Sequence, residues 1–95
     1  MWQPDGRLTI GHDLGMLLDA AAVAVKVGSV SDMSIQRHIR VGFVKAGRLR
    51  LLLAQEGIID PSRSGSGRHQ SLVAPGGLDA ALSRIREAAG KEARS

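Results

Sequence analysis

Basic side chains cluster near the middle of this sequence, where no carboxylate interrupts them over fourteen residues: Arg37, Arg40, Lys45, Arg48 and Arg50. Residues 31–70 carry seven basic and three acidic side chains, and the excess accounts for the net charge of +4 of the whole chain. A patch of this kind attracts polyanions such as nucleic acid. An ordinary solvent-exposed surface is the alternative, and charge alone does not separate the two interpretations.

Patterns of catalytic and metal-binding residues are missing from the sequence. It has no cysteine, and His12, His38 and His69 lack the i, i+4 spacing of a zinc-binding helix. The pair Gly90-Lys91 is followed by glutamate, whereas a phosphate-binding P-loop requires serine or threonine there. We therefore predict that the chain is not an enzyme and has no catalytic residue, no metal ligand and no cofactor.

The basic cluster requires helices to position it. Apolar residues at three- and four-residue steps predict a first helix over "LGMLLDAAAVAVKV", with His12 or Asp13 as its N-cap and Gly28 as its stop. A loop or short extended segment follows at residues 29–34. Ser34 is then the expected N-cap of a second short helix, "IQRHIR".

A turn at Gly42 is expected to join this second helix to a third over residues 43–56, because a positive φ is cheap only for glycine. Gly57 is the predicted stop of the third helix. Within that helix, Ala46, Leu49 and Leu53 have core spacing and Leu52 extends the same stripe. Leu51 falls outside the stripe, on the face of Val44 and Arg48.

The segment after the third helix resembles a hairpin in its composition. Apolar ends at Ile58-Ile59 and residues 71–73 flank a basic tip rich in Pro, Ser and Gly, and a last amphipathic helix follows Pro75. We predict a mainly α fold with a small β-hairpin: a winged helix-turn-helix, with a three-helix core plus the wing, and an extra C-terminal helix. The expected divisions are a lead-in at 1–11, the DNA-binding domain at 12–75, and the C-terminal helix with a frayed tail at 76–95.

A winged helix-turn-helix places its third helix in the major groove and basic side chains at phosphates. Arg63 and Arg68 in the wing are expected to contact phosphates or the minor groove, and His69 a phosphate or base. The alternatives are a helical bundle with exposed arginines, a merely flexible loop and a surface histidine. With only two aromatic residues, single-strand binding by base stacking is disfavoured.

The stretch "SIQRHIRVGFVKAGRLRLLLAQEGIIDPSRSGSGRHQSLV" resembles the gamma domain of FtsK/SpoIIIE-type DNA translocases. The resemblance covers about residues 14–75 and is strongest in the block Q-R…R-[IV]-G-[YF]…R. With small shifts of spacing, the matching residues are Ser34, Gln36, Arg37, Ile39, Arg40, Val41, Gly42, Phe43, Lys45, Ala46, Arg48, Leu49, Glu56, Gly57, Ile58, Ile59 and Pro61. It implies a winged helix at the C-terminus of a hexameric, ATP-driven DNA pump, where it recognises short oriented sequences and directs loading of the motor.

The resemblance also assigns the predicted DNA contacts. Base readout falls on Val44, Arg48 and Leu51, and the DNA backbone on Ser34, Gln36, Arg37, Arg40 and Lys45. At two base-reading positions the family has an asparagine and an acidic residue, which pair with adenine and cytosine; here they are Val44 and Leu51. This departure favours a diverged reader, such as the C-terminal domain of a TraB-type conjugative plasmid translocase.

The expected partners are double-stranded DNA with short specific repeats and an ATPase motor domain or hexamer of the same translocase. The longest apolar run is far short of the roughly 20 residues that span a membrane, so we predict no membrane contact by this segment and a cytoplasmic location. Two alternatives stay open: a standalone winged-helix transcription regulator, and a winged helix that binds another protein. The biological process is either plasmid transfer or chromosome segregation.

Overall fold

The computed structural model describes residues 6–94 of the chain. In chain order the elements are a 3-10 turn (Gly11–Asp13), α1 (Leu14–Val27), β1 (Ser29–Val30), α2 (Asp32–Ile39), α3 (Phe43–Gln55), β2 (His69–Gln70), a second 3-10 turn (Pro75–Gly77) and α4 (Leu78–Arg94). The described chain is mainly helical with a small antiparallel sheet, which confirms the predicted fold class. Of the predicted lead-in, residues 1–5 lie outside the described part.

Helices α1, α2 and α3 pack around one aliphatic core. From α3 this core takes Ala46, Leu49, Leu52 and Leu53, all of them fully buried, while Leu51 stays outside, as its spacing predicts. The rest of the core comes from the other elements: Ile10, Leu17, Ala20, Ala21, Ala24, Val25, Val30, Ile35, Ile58, Ile59, Ala81 and Ile85. Because the core takes one side of α3, the opposite side of that helix is left uncovered.

Helix α2 begins three residues earlier than predicted. Its N-cap is Ser31, whose Oγ accepts from the Ser34 N–H at 3.1 Å, while the Ser34 Oγ accepts from the Ser31 N–H at 2.9 Å. This reciprocal pair is a capping box, which satisfies two backbone donors at once. The prediction that Ser34 is the N-cap was wrong, because the two serines act together and Ser34 is already inside the helix.

The turn between α2 and α3 also differs from the prediction. Gly42 has a φ of −75° and is the extended N-cap of α3. The left-handed residue is Arg40, with a φ of 60°, and its N–H donates to the Gln36 carbonyl at 3.0 Å. The prediction of a positive φ at Gly42 was therefore wrong. A left-handed conformation costs roughly 1–2 kcal/mol for a residue with a Cβ, so the packing of α2 against α3 must stabilise it.

The end of α3 follows the prediction closely. Gly57 has a φ of 76°, and its N–H donates to the Ala54 carbonyl at 3.1 Å. The next N–H, of Ile58, donates to the Leu53 carbonyl at 2.9 Å, which completes a Schellman motif. Ile58 is fully buried there, so the motif directs the chain from α3 into the core and then into the wing.

The predicted hairpin is present, and a third segment joins it. Ile59 pairs with Ser71, the Asp60 N–H donates to the Gln70 carbonyl at 2.8 Å, and residues 61–68 form the tip. In addition, β1 pairs antiparallel with β2, with Ser29 opposite Gln70 and Val30 opposite His69. The segment between α1 and α2 therefore attaches the wing to the helical core.

Helix α4 packs on α1 and buries Ala81 and Ile85 in the core. It continues to Arg94, so the described part of "GKEARS", the predicted frayed tail, is helical. The Glu92 carboxylate accepts from the Ile10 N–H at 2.5 and 2.8 Å and so fixes the last turn of α4 to the start of the fold. None of the helices within residues 6–94 combines the length and the apolar character that crossing a membrane requires.

Candidate nucleic-acid interface

The side of α3 that faces away from the core is apolar and open to solvent. We define the outer face of α3 as Phe43, Val44, Gly47 and Leu51, which recur at three- and four-residue steps. Phe43 is 71% exposed, Val44 83% and Leu51 48%. Single exposed apolar side chains are common on protein surfaces, but several on one face of a helix form a patch that usually marks a binding surface. The face is therefore available to a partner.

Two of the basic side chains of α3 turn away from the outer face and pair with Asp13. The Lys45 Nζ lies 2.6 Å from the Asp13 Oδ1, and the Arg48 Nε lies 2.8 Å from the Asp13 Oδ2. The Arg48 guanidinium also donates to the Thr9 carbonyl. Arg48, the predicted base-reading residue, is thus held against the start of α1. Lys45 was predicted to contact the DNA backbone, and its side chain is more exposed than that of Arg48.

Asp13 is the centre of this cluster and is nearly buried. Burial alone raises the pKa of its carboxyl group, but the hydrogen bonds and positive charges of Lys45 and Arg48 outweigh it and hold the pKa below the usual value. Asp13 is therefore ionised at neutral pH. Asp13 is the N-cap residue of α1, which was one of the two predicted, but its side chain makes no cap hydrogen bond, because the long-range partners take both oxygens.

A second ion pair fixes α3 to α2. The Arg50 Nε lies 2.5 Å from the Oδ1 of Asp32, in the first turn of α2. At the far end of α3, the Gln55 side chain hydrogen-bonds the backbone of Leu8, donating to its carbonyl at 2.9 Å and accepting from its N–H at 2.8 Å. Together with Lys45 and Arg48, these contacts engage every polar side chain that α3 carries.

Three arginines on the elements that flank α3 have no such partner. Arg37 on α2, Arg40 in the turn and Arg63 at the wing tip are exposed, and within residues 6–94 none of them forms an ion pair. All three were predicted to contact DNA. They add to the positive charge of this surface, because Asp13 and Asp32 offset two of the three positive charges of α3 itself.

A cleft lies between the helix-turn-helix and the wing. Its volume is about 290 Å³, and it is lined by Ser31, Asp32, Met33 and Gln36 of the α2 region, Phe43 of α3, and Arg63, Gly67 and His69. Gln36, which was predicted to contact the DNA backbone, lines this cleft and is half-buried. The cleft brings the start of α3 and the wing tip to one side of the molecule, as a winged helix-turn-helix requires.

The remaining predicted contacts have structural partners. The Ser34 hydroxyl is committed to the capping box of α2. Arg68 donates from Nε to the Ser29 Oγ at 2.7 Å and from Nη2 to the Ser29 carbonyl at 3.0 Å, which ties the wing to β1. His69 is 3% exposed in β2, with its Nδ1 3.0 Å from the Asp60 carbonyl. His69 lines the cleft, but little of its ring is accessible there.

Sequence reasoning missed two members of the outer face, Phe43 and Gly47. The signal was present in the i, i+4 and i+8 spacing of Phe43, Gly47 and Leu51, on the side opposite the core leucines. It also missed Asp13 and Asp32 as partners of the α3 cations. Those carboxylates lie eighteen or more residues from their partners in the sequence, and no local sequence pattern predicts such a pairing.

The sequence is similar to a short segment of several DNA translocases. It is 42% identical over 76 residues, 80% of this chain, to the DNA translocase FtsK of Tropheryma whipplei, of which it covers 10%. It is 44% identical over 77 residues, 81% of this chain, to FtsK of Streptomyces coelicolor, and 42% identical over the same length to FtsK of Mycobacterium tuberculosis. The chain covers 8% and 9% of these two proteins and so spans about a tenth or less of the relatives it matches.

Other comparisons add no further relationship. No protein-family model matches the chain, and no solved structure matches it significantly. Among the described residues, no group of three or more His, Cys, Asp or Glu side chains is arranged to hold a metal ion.

Proposed function

We propose that this chain, an FtsK-type domain, binds double-stranded DNA by laying the outer face of α3 in the major groove. The major groove admits a single α-helix, and a winged helix uses its third helix there while the wing reaches the flanking backbone. The relatives that the chain matches are named DNA translocases. Duplex DNA is therefore the partner most consistent with the similarity.

One observation carries the proposal: the outer face of α3 is uncovered, and exposed, unpaired arginines adjoin it. Arg37 and Arg40 lie on the α2 side, and Arg63 lies at the wing tip across the cleft. A helix in the major groove has phosphate backbones on both sides, and arginine neutralises phosphate well. Arginines on both sides of the outer face therefore support a role in contacting the two backbones.

The proposed contacts divide into three groups. Val44 and Leu51 meet base edges; Arg37, Arg40 and Arg63, assisted by Gln36 and the partly exposed Lys45, meet the backbone. Arg48, Arg68 and Ser34 hold the reading helix and the wing in position through their partners within the fold. Arg48 was predicted to read a base. Its double engagement by Asp13 and Thr9 supports a positioning role instead.

We further propose that the domain recognises short DNA repeats and directs an ATP-driven motor to them. The motor would be supplied by the same translocase, in the cytoplasm, for plasmid transfer or chromosome segregation. Support comes from the similarity to translocases that are some ten times longer than the matched segment. A standalone regulator is the contrasting possibility: it requires a stable dimer and a palindromic site, whereas a translocase domain reads direct repeats as a monomer.

Selection of the full 95-residue chain against random duplexes tests the proposal in one experiment. We expect a defined non-palindromic motif of a few base pairs, bound by a monomer in sedimentation at micromolar concentration. A palindromic motif bound by a dimer would replace the translocase role with that of a regulator. Failure to enrich any duplex, with no retention of DNA at low salt, would contradict DNA binding altogether.

Salt dependence gives a quantitative prediction for the arginines. With three to five phosphates contacted, log K should fall against log[salt] with a slope of about −3 to −5, since each phosphate contributes about −0.9. Arg37→Ala should reduce the magnitude of the slope by about 1 and weaken all duplex sequences alike. Fluorescence anisotropy over a salt series measures both effects.

The matched control for this prediction is Arg84→Ala, because Arg84 is also an exposed arginine and lies on α4, which packs on α1. Its slope should equal that of the unmodified chain. An equal loss of slope in the two variants would mean that general charge, and not the surface next to α3, determines binding.

A protein-binding role is the second candidate, and a specific observation favours it. Phe43, Val44 and Leu51 on α3 and Met33 on α2 are all exposed and apolar, as in the central part of a protein interface. Such a module would show no log-linear dependence of DNA affinity on salt, so the titration above separates the two functions.

A further inference from the structure

We infer that the outer face of α3 reads thymine through its C5-methyl group, so that the preferred duplex has thymines where Val44 and Leu51 meet the major groove. The inference rests on the proposed function, because it requires α3 to lie against base edges. It goes beyond that proposal by naming the chemical feature of DNA that this chain selects.

The first argument is the absence of a free hydrogen-bonding side chain on α3. Its four polar side chains, Lys45, Arg48, Arg50 and Gln55, are all engaged with Asp13, Asp32 or the backbone of Thr9 and Leu8. The side chains that point outward are those of Phe43, Val44 and Leu51. Readout by paired hydrogen bonds is therefore not available to this helix without breaking the contacts that hold it in place.

The second argument is the chemistry of the major groove. Guanine, cytosine and adenine carry no methyl group on their major-groove edges, whereas thymine does. An apolar side chain against the polar edges displaces their water and offers no hydrogen bond in return, which is unfavourable. Against a thymine methyl the same side chain buries apolar area instead. Val44 and Leu51 therefore discriminate in favour of thymine.

The shape of the face fits this partner. Gly47 lies between Val44 and Leu51, three residues after the first and four before the second. Since glycine has no side chain, a shallow gap separates the two, and the helix backbone can approach the floor of the groove there. A Cβ built on Gly47 would lie 3.9 Å from the Asp32 Oδ2, so the side chain of Asp32 on α2 borders this gap.

Charge decides between DNA and an apolar protein as the occupant of this face. Arg37 lies on α2, which packs on α3, Arg40 precedes Phe43 by three residues, and Arg63 lines the cleft together with Phe43. All three are exposed and have no ion pair within residues 6–94. A polyanion satisfies these cations and covers the apolar strip between them, whereas an apolar protein surface would leave them at its border without partners. The combination of an apolar centre and an unpaired basic border therefore matches the major groove of thymine-containing duplex.

Replacing thymidine by deoxyuridine in the selected duplex tests the inference, because it removes only the methyl group. We expect the affinity of the full chain to fall about fourfold per contacted methyl, which is equivalent to about 0.8 kcal/mol. In Val44→Ala and Leu51→Ala the ratio of affinities for the thymidine and deoxyuridine duplexes should approach one at the position that each side chain contacts. Val27→Ala, at an exposed valine of α1, should keep the ratio of the unmodified chain.

Each outcome is decisive. Equal affinity for the two duplexes, with salt-dependent binding intact, overturns the thymine inference and leaves DNA binding standing. An unchanged ratio in both alanine variants overturns it as well, since the methyl would then be read elsewhere. If the chain binds no duplex, and the two variants instead change its self-association in sedimentation, both the inference and the proposed function fail.

Discussion

Replacing Asp13 by alanine should lower the free energy of unfolding by about 2–3 kcal/mol, the largest effect we expect from any single polar side chain of this protein. The change leaves Lys45 and Arg48 without their common partner at the junction of α1 and α3. The value is below that of a fully buried pair, because both cations retain partial exposure. Thermal unfolding followed by circular dichroism should show a midpoint lowered by about 10–20 °C.

The control for this prediction is Asp19→Ala, which removes an exposed aspartate from α1. Its unfolding midpoint should stay near that of the unmodified chain, within the roughly 0.5 kcal/mol typical of surface changes. If Asp13→Ala unfolds at the same temperature as Asp19→Ala, then Asp13 does not anchor α3.

Titration gives the same prediction an independent measurement. Because the pKa of Asp13 is lower in the folded chain than its ordinary value of 3.8, the charged carboxylate stabilises the fold at pH values above that range. This contribution is lost as the pH falls through the folded-state pKa. Asp13→Asn should therefore be less stable than the unmodified chain at pH 7, and the difference should narrow as the pH falls below about 4.

Replacing Val44 by glutamate should weaken the affinity for the selected duplex by a factor of about 100 or more. The reason is that the phosphates of the DNA repel a carboxylate placed at the proposed major-groove surface. Val44 is 83% exposed, so the substitution should leave folding intact. Anisotropy titrations at one fixed salt concentration measure the change. Circular dichroism of the same sample verifies that the helical content is unchanged.

Val27→Glu is the matched comparison for Val44→Glu. Val27 is also an exposed valine in a helix, and the substitution introduces the same charge at the end of α1. Its affinity for the duplex should stay within about threefold of the unmodified chain, because it changes only the overall charge. Equal losses in the two variants would mean that Val44 does not face the DNA.

The helices and their buried faces were accessible from the sequence because local patterns determine them. The spacing of Ala46, Leu49 and Leu53 predicted which side of α3 enters the core, and Gly57 marked its end through the left-handed conformation that glycine tolerates. The hairpin was recognisable from its flanking apolar pairs. The helix features depend on residues within a few positions of one another, and the hairpin on two apolar segments separated by one turn-rich stretch.

The geometry of the candidate site was less accessible, because contacts between distant residues determine it. Arg48 was predicted to read a base, yet Asp13, thirty-five positions away, engages its guanidinium. The left-handed turn residue is Arg40 although Gly42 was available two positions later, so packing of the two helices overrides the local preference. His69 was placed on the wing surface, but pairing with β1 buries it.

The central claim is that the outer face of α3 and the wing tip are the surface that meets duplex DNA. Titrating the selected duplex into the ¹⁵N-labelled chain, with backbone amide shifts as the readout, tests it most directly. We predict that the largest shifts fall at residues 43–51 of α3, around Arg37 and Arg40, and at the wing tip near Arg63, while α4 changes little. Shifts concentrated on α4, with residues 43–51 unchanged, would contradict the claim.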